Sequence, residues 1–106
     1  MNPWVVILRE AAKQRTYIIS GHARQRMGER DIAEEDLARC AAEGEVLEVQ
    51  DHGRDVKVLV RGVDSEGEEF YVVAALTYPR PVIVTVCRFR EEAREDLGPF
   101  KRRKRG

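Results

Sequence analysis

Cysteine, histidine and long apolar runs are scarce in this chain. Its two cysteines, Cys40 and Cys87, stand far apart and outside any C-x-x-C pattern. That spacing speaks against zinc binding and thiol redox chemistry. Cys40 falls on the apolar face of a predicted helix and Cys87 inside an apolar strand, so both read as small, reduced core residues. The two histidines, His22 and His52, form no H-x-x-x-H pair and have no dense carboxylate cluster beside them. Neither a metal site nor a cofactor is therefore expected. Glycine-rich phosphate loops and nucleophile-elbow motifs are missing too. No apolar run approaches the roughly 18 residues of a membrane span. The run Trp4-Val5-Val6-Ile7-Leu8 has no basic segment before it and no small-residue cleavage site after it. The expected location is the cytoplasm, with no membrane contact.

What is present suits one modest domain. The chain has 106 residues, 42% hydrophobic and 36% charged, enough for a real core beneath a solvated surface. Its 19 basic and 19 acidic residues cancel, but not evenly along the chain. Residues 101–105 are Lys-Arg-Arg-Lys-Arg; without these five, 14 basic residues face the 19 acidic ones. Residues 1–90 read as a single α+β domain and 91–106 as a charged, flexible C-terminal tail. A basic tail on a mildly acidic body can engage RNA, DNA or an acidic protein, or can simply be a solvated terminus. The acidic body argues against a broad, nonspecific nucleic-acid binder.

Asn2 and Pro3 read as an N-cap and a first helical residue, followed by Trp4, Ile7, Leu8 and Ala11 at helical spacing. Thr16 to Ile19 is a short β-prone link. Ser20 can cap a second helix near 22–30, whose strong apolar positions are only Ala23 and Met27. Asp31 and Glu34 resemble a capping pair for a third helix near 33–43, with Ala33, Leu37, Cys40 and Ala41 inward and Gly44 as its stop. From Val46 the period becomes that of strands: 46–49, 56–61, 70–76 and 82–89. The turn signals are Asp51-His52-Gly53 and Asp64-Ser65-Glu66-Gly67, and Tyr78 to Pro81 forms a loop. Short connections imply an antiparallel meander of about four strands, with the N-terminal helices packed on one face.

The segment from Ser20 to Arg30 is the most unusual. On a helix, His22, Arg26, Glu29 and Arg30 share one stripe. It joins a group able to move protons near neutral pH to two fixed cations. Phosphodiester cleavage needs both. The start of a helix also attracts phosphate. The competing reading is a solvated helix face with weak surface pairs. A second set lies on the strands. Lys57 and Arg61 share a face, and Tyr71 and Arg88 are polar-tipped residues in apolar strands. On a concave sheet face turned from the helices these four would converge to hold phosphate and stack on a base. Alternatively they border the sheet and keep that face soluble.

The string from Ile19 to Ile32, with Glu34-Glu35-Asp36-Leu37 and Gly44-Glu45-Val46-Leu47, resembles the bacterial family catalogued as domain of unknown function 4258. That family opens with S-x-H-A-x-x-R-M-x-x-R-x-I, and strands like Val56 to Val60, Phe70 to Val73 and Ile83 to Arg88 follow. The resemblance spans roughly residues 17–90. It implies a branch of the RelE/ParE toxin superfamily: helices, then a curved antiparallel sheet. RelE-like members cut mRNA without metal, using basic and aromatic side chains; ParE-like members inhibit DNA gyrase and cleave nothing. His22, Arg26 and Arg30 match the family motif, and Arg88 matches the terminal-strand arginine.

The resulting expectation is the toxin half of a type II toxin–antitoxin pair, a metal-independent endoribonuclease. His22, Arg26 and Arg88 would be catalytic, and Arg30, Lys57, Arg61 and Tyr71 would bind substrate. The partners implied are a cognate antitoxin, some of which carry a YgiT-type zinc finger, and RNA or the ribosome. The alternatives are a ParE-like gyrase inhibitor and a non-toxic protein-binding domain.

Overall fold

A computed structural model describes residues 2–88. The reading of 91–106 as a tail, and Phe89 at the end of the last strand, lie outside the described residues. Three helices come first: α1 (Pro3–Gln14), α2 (Gly21–Arg30) and α3 (Glu34–Glu43). Between α1 and α2 runs a two-residue strand, β1 (Ile18–Ile19). After α3 come β2 (Glu45–His52), β3 (Asp55–Val63), β4 (Glu69–Ala75) and β5 (Val82–Arg88). The long strands form the expected antiparallel meander. The link read as β-prone adds a fifth, parallel strand beside β5, giving the order β1-β5-β4-β3-β2.

Local chemistry sets the helix ends. The Asn2 side chain accepts the Trp4 amide at 2.8 Å, and Pro3 opens α1. Ser20 accepts the Ala23 amide at 3.0 Å and donates to the Val84 carbonyl at 3.1 Å, so it caps α2 and ties its start to β5. The expected Asp31–Glu34 capping pair does not form. Asp31 instead ends α2 in the left-handed conformation (φ 55°), which Asp tolerates better than most residues. Ala33 is the N-cap of α3 and supplies no side-chain bond; acidic Glu34, Glu35 and Asp36 favour that positive helix end.

The core lies between the helices and one face of the sheet. Leu8, Ala23, Met27, Leu37, Val58, Val60, Phe70, Val72, Ile83 and Val86 belong to it. α1 presents Leu8, Ala11 and Ala12 inward, while Ile7, expected on that face, is exposed. A second buried cluster occupies the other face: Leu59, Tyr71, Val73 and Cys87, with Leu47 and Val84 against it. Cys40 and Cys87 are free and buried, and burial pushes the Cys40 thiol up to about 12, so it stays protonated and inert.

α3 sits very close to β3. A Cβ on Gly44 would fall 2.5 Å from the Cys40 carbonyl oxygen and 2.6 Å from that of Arg61. Both are backbone atoms that cannot step aside. Gly44 has an ordinary φ of −66°, so its requirement is space alone. Gly44→Ala is expected to destabilise the domain by about 1–3 kcal/mol, read as a lower urea midpoint at unchanged slope.

Candidate functional site

α2 carries the stripe. His22 occupies the first turn, exposed, and among the described residues no side chain bonds its imidazole. One turn on, Arg26 donates to Glu29 at 2.9 Å; Arg30 reaches the same carboxylate oxygen at 3.2 Å. Gln25 donates to its other oxygen at 2.9 Å. The Gln25 amide, then Arg26, hold the Glu29 carboxyl below its usual range. Arg26 and Arg30 are thus brought together, but around a carboxylate of their own helix. His22 and Arg30 are separated by about 12 Å of helix axis.

Arg88 is elsewhere. It was expected on the sheet face turned from the helices, beside Tyr71. A bulge in β5 overturns that. Val73 pairs with Thr85 and the next residue, Ala74, with Ile83, so Val84 is the extra residue. One extra residue inverts every later side chain. Val86 therefore faces the core, and Arg88 points to the helix side. There it donates to the Arg30 carbonyl at 2.8 Å, to the Asp31 carbonyl at 3.2 Å and to Asp64 at 2.8 Å.

Asp64 is buried and organises the β3–β4 turn. Its other oxygen accepts the amides of Glu66 and Glu68, each at 2.9 Å. The Glu68 amide, then Arg88, hold this carboxyl below the ordinary range. Next door, Asp36 accepts the Ser65 amide at 3.4 Å and pairs with Arg39 at 2.5 Å. Arg88 thereby fastens the end of α2 to a turn that also touches α3. Arg9 does the same for α3, donating to the carbonyls of Ala41 (3.2 Å) and Gly44 (2.8 Å). The sequence marked Asp64 only as the start of a turn, and nothing in its spacing marked Arg9.

Lys57, Arg61 and Tyr71 do share the sheet face away from the helices, but only Arg61 and Tyr71 come together. Arg61 pairs with Glu45 and reaches the Tyr71 hydroxyl; Lys57 pairs with Asp55 at 2.6 Å, about 13 Å along the strand. Tyr71 is fully buried, which leaves no ring face open for a base. No group of three or more His, Cys, Asp or Glu side chains capable of holding a metal gathers among the described residues. No helix among them is long and apolar enough to cross a membrane.

The profile of a domain of unknown function, DUF4258, matches residues 19–88. The chain belongs to the DUF4258 family. The DUF4258 match takes in α2 with its His22 stripe, the Asp64 turn and Arg88, while α1 and Arg9 lie before it. No curated protein and no solved structure matches the chain significantly.

Proposed function

We propose that this DUF4258 chain is the toxin half of a type II toxin–antitoxin pair, a cytoplasmic, metal-independent endoribonuclease that cuts mRNA. The supporting observation is His22. It stands exposed in the first turn of a well-capped helix, and no side chain among the described residues occupies its imidazole. A helix start offers free amides to a phosphate. An imidazole there is placed to take the proton from a ribose 2′-hydroxyl. That oxygen attacks the adjacent phosphorus, the bond to the 5′-oxygen breaks, and the leaving oxygen takes up a proton. The products are a 2′,3′-cyclic phosphate and a 5′-hydroxyl. Arg26 is the nearest cation on the stripe, and Arg30 follows. The bonds of Arg88 give it a different part, that of holding α2 in place.

One observation favours a second reading, a non-enzymatic inhibitor of a target such as DNA gyrase. Arg26 and Arg30 already neutralise Glu29, so the cations that should meet phosphate are engaged inside the protein. In either reading the partner is a cognate antitoxin.

Tightly controlled expression of the wild-type chain separates the two. The expected result is growth arrest with fragmented mRNA bearing cyclic phosphate ends. Arrest with intact mRNA and disturbed DNA supercoiling would move the assignment to the gyrase-type inhibitor. Undisturbed growth would remove both toxin readings.

A further inference from the structure

The cations best placed to meet a nucleic acid lie at one end of the sheet, not on α2. Three arginine guanidiniums have neither a hydrogen-bond nor an ion-pair partner among the described residues: Arg15, Arg54 and Arg80. All three belong to segments that meet where β4 turns into β5. Lys57 pairs with Ala75, and the Leu76 amide continues the ladder to the Val56 carbonyl at 2.8 Å. Arg54, in the β2–β3 turn, and Tyr78, in the β4–β5 loop, each lie two residues beyond that bond. Arg80 is in the same loop as Tyr78. Arg15 lies three residues before Ile18, whose amide donates to the Pro81 carbonyl at 2.9 Å.

Tyr78 is 96% exposed. Its loop is closed by Thr77, whose hydroxyl donates to the Arg80 carbonyl at 2.6 Å, and prolines at 79 and 81 restrict the backbone. The ring is therefore presented on a braced support, which lowers the entropy lost when something stacks on it. The nearby acids are occupied. Asp51 accepts the Trp4 indole N–H at 3.0 Å and the Gly53 amide at 3.0 Å, and Asp55 accepts Lys57. An open aromatic face among uncommitted cations is the pairing that single strands bind: a base on the ring, phosphates on the guanidiniums.

We propose that Tyr78, with Arg54 and Arg80 flanking it, is a stacking platform for single-stranded RNA. The platform rests on the RNA-directed reading given above and places RNA binding on a surface separate from the Arg26–Glu29–Arg30 cluster. His22 is on the same side of the molecule, since Ser20, two residues before it, donates its amide to the Ile83 carbonyl at the start of β5. A strand held at the loop thus leads toward the start of α2.

The test uses fluorescence anisotropy with a labelled, unstructured RNA of twelve nucleotides. The full-length His22→Ala chain is the non-cleaving background. Tyr78→Ala is expected to weaken binding about 5- to 100-fold, and Tyr78→Phe less than twofold. Arg80→Ala is expected to reduce the slope of log affinity against log salt by about 0.7. An RNA duplex should compete poorly, because its bases are already stacked. Equal binding by the parent and Tyr78→Ala, equal losses in the Ala and Phe variants, or no RNA binding at all would each overturn the platform. Cleavage is scored separately on the wild-type chain. Cleavage without a Tyr78 effect on binding defeats the platform and leaves the ribonuclease standing. Tyr78-dependent binding without cleavage does the reverse.

Discussion

His22→Ala is expected to lower RNA cleavage by about 10²- to 10⁴-fold, the usual contribution of a positioned general acid or base. Thermal stability should barely change. The imidazole is exposed and has no side-chain partner among the described residues, so little of the fold depends on it. Cleavage and melting, measured on the same preparation, make the prediction decisive. Full cleavage by the variant would remove His22 from the chemistry. A large fall in melting temperature would show that the side chain supports the fold. His22→Gln sharpens the comparison, since it keeps a polar group of similar size but cannot shuttle a proton near neutral pH.

Arg88→Ala is expected to produce the opposite pattern, a fall of roughly 5–15 °C in melting midpoint. Removing a partly exposed cation leaves its buried carboxylate partner short of a donor. Here Asp64 loses its cation, and two carbonyls at the end of α2 lose their donor. Arg88→Lys should recover only part of the loss, because a single ammonium does not replace the guanidinium fork. Acid supplies an independent check. Asp64 is held below its unfolded value, first by the Glu68 amide and then by Arg88. A lowered carboxyl stabilises the fold above the ordinary carboxylate range, and the contribution is lost as pH falls through the folded value. The gap in melting temperature between wild type and Arg88→Ala should therefore narrow between pH 6 and pH 3. A gap that stays constant would assign the loss to the Arg30 and Asp31 carbonyls and not to Asp64, and a variant that melts like wild type yet fails to cleave RNA would return Arg88 to a catalytic role.

Local signals were readable in the sequence; distant ones were not. Ser20 announced the start of α2, and Asp64 to Gly67 announced a turn that does form, with Gly67 at φ 84°. Strand alternation put Lys57 and Arg61 on one side, as found. The same alternation misplaced Arg88, because a bulge at Val84 is set by pairing with β4 and leaves no mark in β5 alone. It also gave no warning that Tyr71 would be fully covered, since burial depends on what lies over a face. Asp31 and Glu34 had the spacing of a capping pair, yet the chain used Asp31 to leave α2. On α2 the sequence showed three charged residues in a stripe but not that Glu29 would take both arginines. Which cations lack a partner among the described residues could be read only from the folded ion pairs.

The two-residue strand β1 bears on how the chain folds. Among themselves β2, β3, β4 and β5 pair only with their neighbours in the chain, whereas β1 joins β5 across the domain, Ile18 to Val82. Neighbouring hairpins close short loops and form readily; a pairing across most of the domain must wait for its large loop to close. The meander and α3 are thus the early-forming part, and β1, with α2 hung directly after it, docks late. Destabilising changes at Ile18 or Ile19 should then speed unfolding while leaving the folding rate nearly unchanged. The helix that bears His22 would be the last piece of the domain to settle and the first to leave.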